Sequence, residues 1–170
     1  LKNLVYENPI QKNAGLDVYE APQKDHNYLI TVDVARGLGN DYSAFIVFDI
    51  TNFPYKAVAK YRNNEIKPML FPSIIDDIGK AYNKAFILCE VNDIGDQVAS
   101  ILNYDLEYDN LLMCSQRGRA GQVVGAGFSG KRSQLGVRTT QAVKKLGCSN
   151  LKTLLEDDKI LIIDYDIISE

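Results

Sequence analysis

The sequence predicts an α/β domain with a mixed central sheet flanked by helices. Three segments rich in β-branched residues, 28–35, 43–50 and 56–62, are separated by short turns, a pattern typical of an antiparallel meander of three strands. From residue 68 onward, helical periodicity alternates with short apolar runs, which is typical of helices followed by parallel strands. With 170 residues, of which 46% are hydrophobic and 24% charged, the chain is long enough for one domain with a sizeable core.

The segment before the first strand has a different character. Residues 1–27 are polar, contain Pro9 and Pro22 and show weak periodicity, so we expect a linker or an irregular lead-in there. The domain itself is then predicted to span residues 28–170.

The second half of the domain supplies the helices and the remaining strands. A helix beginning at Pro68 carries apolar residues at helical spacing, and the continuous apolar run 85–91 is expected to be a buried strand parallel to its neighbour. The later elements are predicted as a helix over 96–102, a strand over 110–115, a glycine-rich loop over 118–130, helices over 133–145 and 150–156, and a strand over 159–164. A three-strand meander followed by alternating helices and strands is the order of the ribonuclease H-like fold.

Two acids occupy unusual positions in these predicted strands. Asp33 lies inside the first strand, where aspartate is disfavoured and a charge is costly unless it is paired or bound to a metal ion. Glu90 closes the apolar run 85–91, and functional groups gather at the carboxyl ends of parallel strands. Each acid also has a structural explanation: Asp33 could cap the following turn, and Glu90 could simply have reached solvent.

The two acids are more informative as a pair. If the first and fourth strands are neighbours, Asp33 and Glu90 face one another, and adjacent carboxylates raise one pKa unless a cation lies between them. Oxygen-only ligands suit Mg²⁺ or Mn²⁺, and two such ions about 3.5–4 Å apart can activate water and stabilise the leaving oxygen of a phosphodiester. Asp41, across the short hairpin, either approaches the same site or serves as an Asx-turn residue. Asp93 is expected to cap the next helix rather than to bind metal.

Other site chemistries are disfavoured by composition. The single histidine, His26, precedes the first strong strand and has no obvious catalytic partner. The cysteines at 89, 114 and 148 are widely spaced beside apolar residues, so we expect free core thiols rather than a zinc site. No apolar run approaches the roughly 18 residues that a membrane span needs.

Charge is distributed unevenly along the chain. The net charge of −3 and the pI near 5.2 argue against nucleic-acid binding over the whole surface. Residues 115–150 nevertheless contain several lysines and arginines and no acid, so they form either a phosphate-contacting surface or a solvated helix face.

Three stretches carry a family resemblance: TVDVARGLGNDYSAF, CEVNDIGDQVAS and RGRAGQVVGAGFSGKRSQLGV. Together they resemble the C-terminal nuclease domain of the large terminase subunit, the DNA-packaging motor of tailed bacteriophages, with the T-even-like branch most similar. The resemblance extends from about residue 28 to the end of the sequence. It implies a ribonuclease H-like fold and a metal-dependent endonuclease, using Mg²⁺ or Mn²⁺, that cuts concatemeric viral DNA.

The resemblance also assigns roles to individual residues. Asp33 and Glu90 match the first two metal-binding acids, and Asp41 matches a further acid near them. The residues that would line the side of the DNA groove are Arg117, Arg119, Lys131 and Arg132. The third catalytic aspartate of the family belongs to an Asp-Asp motif without a clear match here. We expect that motif beyond Glu170, so that the nuclease domain would be truncated and the ATPase domain absent.

The implied partners are double-stranded DNA, the portal protein, the small terminase subunit and the ATPase domain of the same parent chain, with no membrane. The implied location is the host cytoplasm, at the prohead rather than in the virion. Two alternatives remain open. The domain could be another ribonuclease H-like nuclease, such as a junction resolvase or an RNA–DNA hybrid nuclease, or a non-catalytic domain that docks DNA or the portal.

Overall fold

The computed structural model describes residues 5–116, 121–126 and 133–169. Its strands in chain order are β1 (Gln11–Asn13), β2 (Leu16–Val18), β3 (Tyr28–Asp33), β4 (Ser43–Asp49), β5 (Tyr55–Asn63), β6 (Phe86–Cys89), β7 (Leu112–Ser115), β8 (Val123–Ala126), β9 (Ser133–Leu135) and β10 (Ile160–Leu161). Its helices are α1 (Phe71–Ala81), α2 (Gly95–Ser100), α3 (Gln141–Glu156) and α4 (Tyr165–Ser169), and a π-helical segment (Ile101–Asp105) continues α2.

The main sheet is mixed, as the sequence predicts. Seven strands take part: six lie in the order β1-β2-β5-β4-β3-β6, and β10 pairs with β5. The meander is confirmed, because β4 is antiparallel to both β3 and β5. The parallel strand is also confirmed, because β6 runs parallel to β3 with Val32 opposite Cys89. A smaller antiparallel sheet, β8-β7-β9, continues from β6 through an isolated bridge between Ile87 and Leu111.

Strict alternation along β3 separates the two faces of the sheet. Tyr28, Ile30 and Val32 are buried, whereas the residues between them are only partly covered and Asp33 is exposed. Since side chains alternate across a strand, the acid lies on the face opposite the main core. The interior position of Asp33 is therefore tolerated, because its side chain avoids the apolar layer.

The main core lies between the other face of the sheet and helices α1 and α2. Phe45, Tyr61 and Phe71 stack there with ring centroids 5.2–6.1 Å apart. Helix α1 contributes Phe71 and Ile75, which are one turn apart and fully buried. A buried side chain of this size contributes about 1.5–3 kcal/mol of transfer free energy, so this aromatic stack fixes the sheet against α1.

The predicted irregular lead-in is wrong for residues 11–18. Strands β1 and β2 form a hairpin around Ala14 and Gly15, both with positive φ, and β2 pairs antiparallel with β5. The residues of β1 are all exposed, and the alternation of Leu16, Asp17 and Val18 in β2 is too short to predict a strand. Main-chain pairing with β5 produces these short strands.

The predicted helix over 133–145 is also wrong at its start. Residues 133–135 form β9, and the helix begins only at Gln141, where the Thr140 side chain accepts a hydrogen bond from the Val143 N–H at 3.3 Å. The helix then runs without a break to Glu156, because Gly147 costs only about 1 kcal/mol relative to alanine. Cys148 is exposed on this helix, which corrects the expectation that all three cysteines are core thiols, although Cys89 and Cys114 are buried.

No helix within the described ranges has both the length and the apolar character that crossing a bilayer requires.

Candidate metal centre

Asp33 and Glu90 come together at the carboxyl ends of two parallel strands. Asp33 is the last residue of β3, and Glu90 directly follows β6. The Glu90 N–H donates to the Val32 carbonyl at 2.9 Å, which continues the parallel ladder to the end of both strands. The register therefore places the two carboxylates side by side on the open face of the sheet.

The proximity of these acids perturbs the titration of Asp33. Desolvation in the cleft comes first among the causes, followed by a hydrogen bond with Glu90 and by the negative charges of Glu90 and Asp41. Together they outweigh the Val34 N–H, which favours the carboxylate, and raise the pKa of Asp33 from 3.8 to about 6. A proton or a metal cation between the two carboxylates relieves this repulsion.

The Glu90 side chain is oriented by Asn92, a residue that the sequence analysis does not single out. The Asn92 amide nitrogen donates to Glu90 Oε1 at 3.0 Å and to the Thr139 carbonyl at 3.1 Å. The Thr139 N–H in turn donates to Asn92 Oδ1 at 3.2 Å. The amide group thus links the carboxylate to the segment before α3, and no sequence periodicity or motif marks that role.

Close backbone packing fixes the main chain around Glu90. Glu90 and Val137 form a short parallel bridge, in which the Val91 N–H donates to the Val137 carbonyl at 2.9 Å and the Val137 N–H donates to the Cys89 carbonyl at 2.8 Å. Gly136 has φ of +70°, and a Cβ atom there would lie 2.2 Å from the Cys89 carbonyl oxygen. Only glycine allows the chain to pass this close to the end of β6. A Cβ atom at Gly95 would likewise lie 2.0 Å from the Glu90 carbonyl oxygen.

Asp41 reaches the same region from the loop between β3 and β4. Asp33 and Asp41 both line two open clefts, one of about 550 Å³ and one of about 430 Å³. The negative charge of Asp41 is close enough to raise the pKa of Asp33. The structure therefore brings Asp33, Glu90 and Asp41 to one end of the sheet.

The far side of the larger cleft is closed by a buried lysine. Lys60 is 6% exposed, and its Nζ lies 2.6 Å from Asp164 Oδ2 and 2.7 Å from Asp166 Oδ2. Burial disfavours the charged carboxylate, but hydrogen bonds from Lys60, from the Tyr19 hydroxyl and from the Ile167 N–H hold the pKa of Asp164 below its usual value. Both aspartates are therefore engaged by Lys60, and Asp166 lines the same cleft as Asp33.

Residues 30–169 match the model of a protein family described as the terminase RNaseH-like domain. The chain belongs to this family. The family and the strand order agree on a ribonuclease H-like α/β fold. The T-even-like branch remains a prediction from the sequence motifs.

Solved terminase structures have the same fold as this terminase domain. The large terminase nuclease of thermophilic phage G20c with bound zinc has a TM-score of 0.71 and 20% identity, over 99% of this chain and 82% of that one. The same nuclease with bound magnesium has a TM-score of 0.70 and 18% identity, over 98% and 73%. The nuclease domain of the Thermus phage P74-26 large terminase has a TM-score of 0.67 and 20% identity, over 98% and 71%.

The donor set of the terminase domain suits a hard divalent cation. Asp33, Glu90 and Asp41 offer only oxygen atoms, which are the ligands that Mg²⁺ and Mn²⁺ prefer. Desolvation and the repulsion from Glu90 and Asp41 raise the pKa of Asp33, and a bound cation would offset that repulsion. In the described ranges, no group of three or more histidine, cysteine, aspartate or glutamate side chains is arranged to hold a metal ion. The pair therefore fits a metal as an incomplete ligand set.

The candidate DNA contacts Arg117, Arg119, Lys131 and Arg132 lie outside the residues that the structure describes. Of the same basic region, Arg138 is described and exposed. It lies between Val137, which pairs across to the end of β6, and Thr139, which holds Asn92. The backbone of Arg138 is thus held close to the end of β6, where Glu90 lies.

Proposed function

We propose that this terminase domain is a metal-dependent DNA endonuclease that cuts concatemeric phage DNA by two-metal-ion hydrolysis. The observation that carries the proposal is the pair of carboxylates at the ends of β3 and β6, within hydrogen-bonding range and with the pKa of Asp33 raised to about 6. Membership of the terminase family and the fold shared with terminase nucleases support it.

Three acids and one asparagine at this end of the sheet would have separate roles in metal binding. Asp33 and Glu90 would hold Mg²⁺ or Mn²⁺, and Asp41 would add negative charge that favours cations at the same end of the sheet. When bound, a pair of such ions supplies an activated water and stabilises the leaving oxygen of a phosphodiester. Asn92 keeps Glu90 Oε1 in a fixed direction, so the ligand geometry does not depend on the incoming cation alone.

The shape of the site favours a polymeric substrate. Ala44 lies opposite Asp33 on β4, and its small side chain leaves the floor of the sheet open between β3 and β5. The two clefts that Asp33 lines are open to solvent and carry both polar and apolar groups. Cutting with little sequence preference is expected, because contacts to the DNA backbone carry no base information.

The wider biological context is also proposed. The sequence motifs support the T-even-like branch, and DNA packaging would bring the domain into contact with the portal, the small terminase subunit and an ATPase domain. That work would take place in the host cytoplasm at the prohead. Arg117, Arg119, Lys131 and Arg132 would line the DNA groove, and a third acid would complete the ligand set.

Plasmid cleavage tests the proposal. Supercoiled plasmid is incubated with the parent chain, Asp33→Asn, Glu90→Gln and the control Asp77→Asn, each with Mg²⁺, Mn²⁺ or chelator. Asp77 is exposed on α1, the helix that packs against the opposite face of the sheet. We expect metal-dependent nicking and linearisation by the parent and the control, and loss of both in the two site variants.

Two results would count against this function. Normal cutting by Asp33→Asn would remove the acidic pair from the chemistry. Mn²⁺ binding by the parent, measured calorimetrically and lost in Asp33→Asn, with no cutting of any substrate, would favour the docking alternative. Four-way junctions and RNA–DNA hybrids offered beside linear duplex separate the endonuclease from the resolvase and hybrid-nuclease alternatives.

A further inference from the structure

An ion pair bridges the two loops that follow the acidic strands. Arg36 lies three residues beyond Asp33, and Asp93 lies three residues beyond Glu90. Arg36 Nε donates to Asp93 Oδ2 and Arg36 Nη2 donates to Asp93 Oδ1, both at 2.8 Å. Both residues line the 430 Å³ cleft together with Asp33 and Asp41. A guanidinium group is therefore held at the edge of the candidate metal centre.

The role predicted for Asp93 from the sequence, a cap on the next helix, is not the one found. The residue before α2 is Ile94, and no side chain caps the helix. Asp93 instead has φ of +50°, a left-handed conformation that aspartate and asparagine tolerate better than other side chains. That conformation places the carboxylate against Arg36.

The ion pair is of a kind that another anion can displace. The Arg36 and Asp93 side chains are 66% and 61% exposed, and ion pairs between such groups contribute little to stability and are screened by salt. The planar fork of arginine donates two parallel hydrogen bonds equally well to a carboxylate and to a phosphate. A phosphodiester near Asp33 would thus offer Arg36 a second partner with the same geometry.

We propose that Arg36 is a phosphate-binding residue that Asp93 holds beside the acidic pair, and that it exchanges Asp93 for a backbone phosphate when DNA binds. The inference rests on the proposed function, since it takes DNA as the ligand, and it adds an internal competitor for that ligand. Asp93 keeps the guanidinium in place without DNA and lowers the affinity for DNA by the cost of breaking the pair. The contact reads no bases, so it serves any sequence.

The test measures binding without cleavage. A fluorescently labelled linear duplex is titrated in chelator at several salt concentrations, with the parent chain, Asp93→Asn, Arg36→Ala and the double variant. Asparagine keeps the shape of Asp93 and suits its backbone, so the fold should persist. Asp96→Asn is the matched control, because Asp96 is exposed three residues further along the chain and its substitution removes the same charge.

The exchange predicts effects of opposite sign at the two positions. Asp93→Asn should bind DNA about two- to fivefold more tightly, because Arg36 no longer leaves a charged partner. Arg36→Ala should bind more weakly, with a salt dependence shallower by about 0.9, the slope of one phosphate contact. The gain from Asp93→Asn should disappear in the Arg36→Ala background, and Asp96→Asn should show at most a small gain.

Three results would overturn the inference. A gain from Asp93→Asn that persists without Arg36, or that Asp96→Asn equals, would reduce the effect to general charge. Weaker binding by Asp93→Asn would mean that the pair serves the bound geometry as it stands. An unchanged affinity and salt slope for Arg36→Ala would remove the phosphate contact. If the parent chain binds no DNA at all, the proposed function fails as well, whereas binding without an effect of Arg36 refutes this inference alone.

Discussion

Replacing Asp33 by asparagine should raise the thermal stability of the metal-free protein at neutral pH. Desolvation in the cleft, the hydrogen bond with Glu90 and the negative charges of Glu90 and Asp41 together raise the pKa of Asp33 from 3.8 to about 6. A folded state that binds this proton more tightly than the unfolded state loses stability as the pH rises from about 4 to about 6. Above that window the full cost is present, and a neutral amide removes it.

The size of the gain follows from the same shift. About two pKa units correspond to roughly 3 kcal/mol if the group is shielded from solvent, at about 1.4 kcal/mol for each unit. Because the Asp33 side chain is exposed, solvent screening reduces the effect, and about 1 kcal/mol is the expected gain. For a domain of this size that raises Tm by about 2–4 °C.

Thermal melting followed by circular dichroism checks this expectation, with the parent, Asp33→Asn and Asp77→Asn compared in chelator from pH 4 to pH 8. The advantage of Asp33→Asn should be close to zero at pH 4 and complete by pH 7.5. Added Mn²⁺ should raise the Tm of the parent and leave Asp33→Asn nearly unchanged. A variant that melts below the parent at pH 7.5 in chelator would show that the two carboxylates do not repel, and the electrostatic reasoning would be wrong.

Two further substitutions test the surroundings of the site. Lys60→Ala leaves the buried Asp164 without its cation, so the free energy of unfolding should fall by about 3 kcal/mol and Tm by about 10 °C. Lys84→Ala, which removes an exposed lysine, should change Tm by less than about 2 °C. Chemical and thermal unfolding measure both effects. Gly136→Ala forces a Cβ atom against the end of β6, so it should lower the free energy of unfolding by about 1–3 kcal/mol and remove most of the cleavage activity. Gly125 has open space around it, so Gly125→Ala should melt and cut plasmid much as the parent does. Equal effects of the two lysine variants, or of the two glycine variants, would contradict the packing described here.

The central part of the site could be predicted because its cause is local. The alternation of YLITVDVA puts Asp33 on the face opposite Ile30 and Val32 whatever the rest of the chain does. The apolar run before Glu90 predicts a buried strand, and the helix before that run predicts a parallel partner. The sequence leaves the choice of that partner open, and the pairing of β6 with β3 in the folded sheet is what brings the two acids together.

The parts that could not be predicted depend on contacts between distant segments. Asn92 matters because Thr139 reaches it from 47 residues further along the chain. Lys60 is buried because Asp164 and Asp166 approach it from a distant part of the chain. The sequence of its own strand predicts only an ordinary half-exposed strand. The hairpin over 11–18 forms because β5 offers a free edge, and the sequence of those eight residues does not predict this pairing.

The acidic pair and the neighbouring ion pair respond to solution conditions in different ways. Asp33 is most available to a divalent cation above about pH 6, where its proton has left, and this competition between proton and metal depends on pH. Arg36 and Asp93 stay charged throughout that range, with the pKa of Arg36 raised and that of Asp93 lowered by their mutual contact, so their exchange with phosphate does not change there. Salt weakens the contacts of Arg36 with Asp93 and with DNA together, because all these groups are exposed. Variation of pH at constant salt therefore reports on the metal ligands, whereas variation of salt at constant pH reports on the phosphate contacts. Metal binding at the acidic pair and phosphate binding by Arg36 can thus be followed separately in one protein.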